Sequence, residues 1–179
     1  VPNRIASMLA SKSSTIIPII VPSLRNRVFL DIVAAAQEVI SAEGYQMMLI
    51  NTEYSEKKET EAVKAVLSWK PAALILSGTN HPEATLKLIR NVNFPIIEIM
   101  EISDQPINIC VGFSHRSAGR DMGKYLVGKG YQSFAFYGCK MKRDVRGMKR
   151  FEGFRSEVVE AGLMEPKLND IDSKFGDLV

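Results

Sequence analysis

Ile16-Ile17-Pro18-Ile19-Ile20-Val21 is followed by apolar residues at Phe29, Ile32, Val33, Ala36 and Ile40, then by Gly44-Tyr45 and a second apolar run at 46–50. This order decides the fold. A short apolar run bounded by polar residues reads as a buried strand, and the i, i+3, i+4, i+7, i+11 spacing is the stripe of a helix lying on a sheet. A glycine directly after the last periodic residue can take positive φ without a Cβ clash, which stops the helix. The stretch is therefore one strand-helix-strand unit.

The same order runs on along the chain. Apolar runs at 72–76, 95–100, 109–113 and 133–137 alternate with helical periodicity near 55–69, 82–91, 115–129 and 147–161. Two further helices end like the first, in Gly128-Lys129-Gly130-Tyr131 and Glu160-Ala161-Gly162-Leu163. Helix starts are marked by Ser23 or Asn26, by Ser55-Glu56, and by His81-Pro82-Glu83 with proline at the first helical position. The alternation predicts an α/β fold, a parallel sheet flanked by helices. From Glu165 the tail holds Pro166, Asn169, Asp170, Asp172, Gly176 and Asp177 without periodicity and reads as a loop. One strand and one helix over 133–161 cannot make a domain, so a second lobe is expected to begin there and to be incomplete.

Apolar residues at 46% and charged residues at 24% are ordinary for a globular chain and exclude a disordered one. A net charge of +3 over 179 residues leaves no broad electrostatic footprint for nucleic acid, so any such contact has to be local. No apolar run reaches the ~18 residues of a membrane span. Cys110 and Cys139 lie in strand-like runs without metal-ligand spacing and read as reduced core thiols, which suits a cytoplasmic protein.

In open parallel sheets ligands gather at the carboxyl ends of the strands, where loop amides and helix N-termini converge. That selects the loops 21–29, 51–54, 77–80, 98–101 and 137–146. They carry Ser23, Arg25, Asn26, Ser77, Thr79, Asn80, Glu101, Asp144 and Arg146 with the aromatic Phe29, and Phe113 ends the fifth apolar run. Hydroxyl-rich ligands with apolar C–H faces need both kinds of partner. Catalysis finds no support: there is no Gly-x-Ser-x-Gly elbow, Walker loop or Gly-x-Gly-x-x-Gly, no metal-ligand spacing and no cofactor motif. His81 reads as a cap or surface residue, and the adjacent Ser114 and His115 diverge at a strand-to-helix turn rather than forming a dyad. The basic run 140–150 reads either as a solvated helix start or as a source of a guanidinium fork, from Arg146 or Arg150, for a hydroxyl pair or a carboxylate.

Several segments resemble the lac-repressor (LacI) family. Pro2-Asn3-Arg4-Ile5-Ala6-Ser7-Met8-Leu9-Ala10 looks like its hinge helix, and Val21-Pro22-Ser23 through Phe29-Leu30-Asp31-Ile32-Val33 is similar to its first strand, loop and helix. Leu74–Thr79, Ile102–Asn108 with Phe113-Ser114-His115, Ala118-Gly119 with Tyr125–Tyr131, and Arg150-Phe151-Glu152-Gly153-Phe154 follow in the family's order. The resemblance implies a type I periplasmic-binding-protein-like fold, with a hinge at 1–10, a linker at 11–15, an effector-binding lobe at 16–130 and the truncated start of a second lobe at 131–179. It implies a repressor that binds a sugar or sugar acid as effector and operator DNA through the hinge and a helix-turn-helix absent from this chain, and that works as a homodimer with no cofactor. Ligand positions carry over to Asn26, Val28, Phe29, Ser77, Glu101, Phe113, Arg146 and Arg150, and hinge contacts to Asn3, Ala6 and Leu9. Val111-Gly112-Phe113-Ser114-His115 with the 144–150 run looks like the gluconate-operon branch, although many relatives have Asp-Asn in place of Ser114-His115. The alternative reading is a periplasmic sugar-binding protein of a transport system.

Overall fold

The computed structural model describes residues 14–171, so the hinge positions Asn3, Ala6 and Leu9 lie outside the described residues. The elements run β1 (Ile16–Val21), α1 (Arg27–Ala42), β2 (Gln46–Asn51), α2 (Glu56–Leu67), β3 (Leu74–Ser77), α3 (Glu83–Ile89), β4 (Ile96–Ile99), β5 (Ile109–Val111), α4 (His115–Gly128), β6 (Ala135–Cys139), α5 (Val145–Glu160) and β7 (Lys167–Ile171). The chain divides into two compact units after Gly112. The sequence reading sets the change of lobe at 130/131; by packing, α4 goes with α5 in the second unit.

The first unit is a five-stranded parallel sheet in the order β2-β1-β3-β4-β5. Alternate residues of a strand face opposite sides, and β1 uses both. Ile19 and Val21 pack with Phe29, Val33 and Ile40 of α1, whereas Ile20 packs with Val63 and Val66 of α2, Ile89 of α3, and Leu74, Leu76 and Ile96. Helices thus cover both faces, which is why β1 reads as an unbroken apolar run. Burying each of these large side chains contributes roughly 1.5–3 kcal/mol. The order reverses between β1 and β3, so the carboxyl ends of these two strands flank the switch point at which ligands of such sheets bind.

The glycine stops hold. Gly44, Gly130 and Gly162 have φ of 78°, 85° and 75°. The amides behind them, Tyr45, Tyr131 and Leu163, donate to Ile40, Leu126 and Val158, closing the last turn of each helix.

The second unit pairs β6 with β7 in parallel and packs α4 against α5. Strand β7 corrects the reading of the tail as a loop: Lys167-Leu168-Asn169-Asp170-Ile171 has no apolar alternation and becomes a strand by pairing with β6. The helices meet backbone to backbone, for a Cβ added to Gly119 would stand 2.0 Å from the Arg150 carbonyl oxygen, and one added to Gly153 2.0 Å from that of Arg116. Around this contact, Arg116 pairs with Glu152, and Arg120 with Glu157 at 3.4 Å and Glu160 at 2.5 Å. Phe134, Phe136, Phe151 and Phe154 form an aromatic cluster with centroids 5.4–6.2 Å apart.

Candidate functional site

In the first unit, expected ligand positions fall at the carboxyl ends of three neighbouring strands. Asn26 follows β1 and caps α1, its Oδ1 accepting from the Val28 amide at 3.1 Å. Ser77 ends β3, half-buried, with its hydroxyl 3.6 Å from the Met100 sulfur. Glu101 follows β4 and is buried. Val28 is more than half exposed, whereas Phe29 belongs to the core beneath α1.

The backbone around Glu101 is tightly defined. Its carbonyl accepts from the Cys110 thiol at 3.0 Å, and a Cβ on Gly112 would stand 2.3 Å from its amide nitrogen, so only glycine lets the end of β5 pass so close. Met100, immediately before it, has φ of 73°. Glu53 and Tyr54 after β2, at 55° and 58°, and Lys140 after β6, at 51°, share this left-handed conformation. Each costs roughly 1–2 kcal/mol in a non-glycine residue, and backbone strain of this kind collects where function needs a fixed geometry. At the same edge, Lys58 donates to Glu53 at 2.5 Å. That hydrogen bond and the Lys58 charge, assisted by Arg25, hold the Glu53 carboxyl below the usual 4.5.

Sequence reasoning missed a buried cluster beneath the β3–α3 connection. His81, expected as a cap or surface residue, has a side chain only 1% exposed. Its Nδ1 lies 2.9 Å from Glu59 Oε1 of α2 and its Nε2 3.7 Å from Glu98 Oε1 of β4. The other Glu98 oxygen accepts from the Ile107 amide at 2.7 Å. His81 Nε2 makes no hydrogen bond among the described residues. The cluster pins the loop that carries Ser77, Thr79 and Asn80 to a helix and a central strand.

In the second unit, Arg150 and Phe113 meet through a residue that the expected set does not contain. His115, the first residue of α4, is 4% exposed; its Nδ1 is 2.9 Å from Arg150 Nη1, and its ring centroid is 4.5 Å from that of Phe113. Asp144 caps α5 by accepting from the Gly147 amide at 2.8 Å, and its other oxygen stands 3.7 Å from Arg150 Nη2. Arg146, one turn before Arg150, is half-buried. A strand-to-helix histidine next to a phenylalanine was the available signal, but its partner on another helix was not visible along the chain.

Among the described residues no group of three or more His, Cys, Asp or Glu could hold a metal ion, and no helix is long and apolar enough to cross a membrane. Among the described residues Cys110 and Cys139 are half-buried and form no disulfide.

These features coincide with what comparison with known proteins finds. Residues 14–177 match the family described as periplasmic binding proteins and sugar binding domain of the LacI family. The HTH-type transcriptional regulator GntR of Escherichia coli K12 is 32% identical over 164 residues, 92% of this chain and 49% of its own. The regulator IdnR of the same organism is 30% identical over 169 residues, 94% of this chain and 51% of its own. The crystal structure of a LacI-family transcriptional regulator from Silicibacter pomeroyi matches with a TM-score of 0.89 at 34% identity, covering 97% of this chain and 52% of that one. The chain spans about half the length of the curated relatives it matches. With a doubly covered parallel sheet and a match over nearly all its residues, this chain belongs to the family of periplasmic binding proteins and LacI-type sugar-binding domains.

Proposed function

We propose that the chain is the effector-binding core of a cytoplasmic, homodimeric transcriptional repressor, and that a sugar or sugar acid bound at the strand ends controls operator binding through the hinge at 1–10. The relatives named above are transcriptional regulators, which favours this reading over a transport component. The proposed ligand residues are Asn26, Val28, Phe29, Ser77 and Glu101 within the first unit and Phe113, Arg146 and Arg150 within the second. Arg150 carries the proposal. Its side chain is 40% exposed, so it retains donors for a ligand although one nitrogen is engaged by His115. A guanidinium fork suits a carboxylate, which points to sugar acids of the gluconate type.

The test is titration of the full-length protein with D-gluconate and with neutral sugars, together with retardation of DNA from its own promoter region. A hydrogen bond to a charged group contributes roughly 1.5–3 kcal/mol, so Arg150→Ala should weaken sugar-acid binding at least about tenfold. Unchanged affinity removes Arg150 from the site. A full-length protein that binds none of these ligands and retards no promoter fragment overturns the function.

A further inference from the structure

Among the described residues His115 and Asp144 stand near the Arg150 guanidinium, and distance separates their roles. Asp144 Oδ2 at 3.7 Å is beyond hydrogen-bond range, whereas His115 Nδ1 at 2.9 Å is within it. Arginine has five donors and no acceptor, so Nδ1 must offer a lone pair. The imidazole is then neutral, with its proton on Nε2, and adds no second positive charge beside the guanidinium. His115 is itself fixed: it is 4% exposed, it stacks at a tilt of 53° on Phe113, and it opens a helix whose cap, Ser114, accepts from the Ser117 amide at 3.1 Å. The far end of the pair is fixed too, because Gly119 lets the backbone of α4 touch the carbonyl of Arg150.

We infer that His115 is a positioning residue: by accepting one N–H of Arg150 on Nδ1 it aims the remaining donors of the fork at a ligand carboxylate, and so sets the preference for sugar acids over neutral sugars. The inference rests on the effector reading above. The incoming carboxylate takes the Nη2 side, where the loose Asp144 contact gives way, while the His115 bond stays. The exposed ring of Phe113 beside it offers an apolar wall to the carbon chain that bears the acid.

The test compares wild type, His115→Asn and His115→Ala in the full-length protein. Binding of D-gluconate and of its neutral counterpart D-glucitol is measured, with thermal melting to confirm folding. An asparagine oxygen stands close to where Nδ1 stands and restores the acceptor. Loss of one charge-assisted bond corresponds to about tenfold, so His115→Ala should bind gluconate about tenfold more weakly with little change for glucitol, and His115→Asn should stay within about threefold of wild type. Gluconate binding by His115→Ala equal to wild type, or by His115→Asn as weak as by His115→Ala, overturns the inference while leaving the effector site standing. Nitrogen-15 spectra of the histidine rings give a readout without ligand: a proton on Nε2 of His115 is expected, and a proton on Nδ1 overturns the inference even if His115→Ala fails to fold. Absence of sugar-acid binding by wild type overturns the effector reading, and this one with it.

Discussion

At the scale of single residues, His81 governs more than its position suggests. A buried imidazole between Glu59 and Glu98 holds together a helix, a central strand and the loop behind Ser77. Removing one partner of a buried hydrogen bond leaves the other short of a partner, at about 1–3 kcal/mol. His81→Leu is therefore expected to lower the denaturation midpoint of the full-length protein by an amount corresponding to about 1–3 kcal/mol; an unchanged midpoint would show that the cluster is energetically neutral. None of this was legible in the sequence. Periodicity reports which face a residue occupies on its own element, and the partner of His81 at 2.9 Å lies 22 residues earlier, on another one. His115 eluded sequence reading for the same reason, whereas the caps Asn26 and Ser55 were legible, because their hydrogen bonds reach only two or three residues along the chain.

Among the elements, the meeting of α4 and α5 sets the tightest tolerance. Glycine inside a helix costs about 1 kcal/mol relative to alanine, and here the close backbone approach offsets it. Gly119→Ala would drive a methyl group into the Arg150 carbonyl, and overpacking of this kind costs typically about 1–3 kcal/mol, more where the obstacle is backbone. The expected outcome is a melting temperature lowered by several degrees. Gly128→Ala on the same helix, where an added Cβ meets nothing within 4 Å, is expected to be neutral or slightly stabilising. Equal melting temperatures for the two variants would refute the close-contact account. At this scale sequence reading succeeded: the apolar runs became strands, the periodic stretches became helices, and three glycines closed helices at the expected places. It failed at β7, whose Asn169-Asp170 pair resembles turn chemistry and whose strand character comes only from β6.

For the molecule as a whole, the proposed switch couples a ligand edge to a hinge outside the described residues. Coupling of two such sites is typically worth ~1–3 kcal/mol, or about 5–150-fold in affinity. Leu9→Ala is expected to weaken operator binding by removing a wedge between base steps, with sugar binding intact; retardation of promoter DNA equal to wild type would remove that role. The architecture was legible because it needs only an alternation of periods. What a bound molecule must supply was not, and one helix cap shows why such detail requires coordinates. The carboxamide oxygen of Asn26 spends one of its two lone pairs on the first turn of α1, which tilts the group toward giving protons to anything approaching from outside. If Asn26 faces the effector as proposed, a visitor that has lost the oxygen meeting it there, as a deoxy analogue would, is expected to bind more weakly, while an O-methylated one still offers a lone pair.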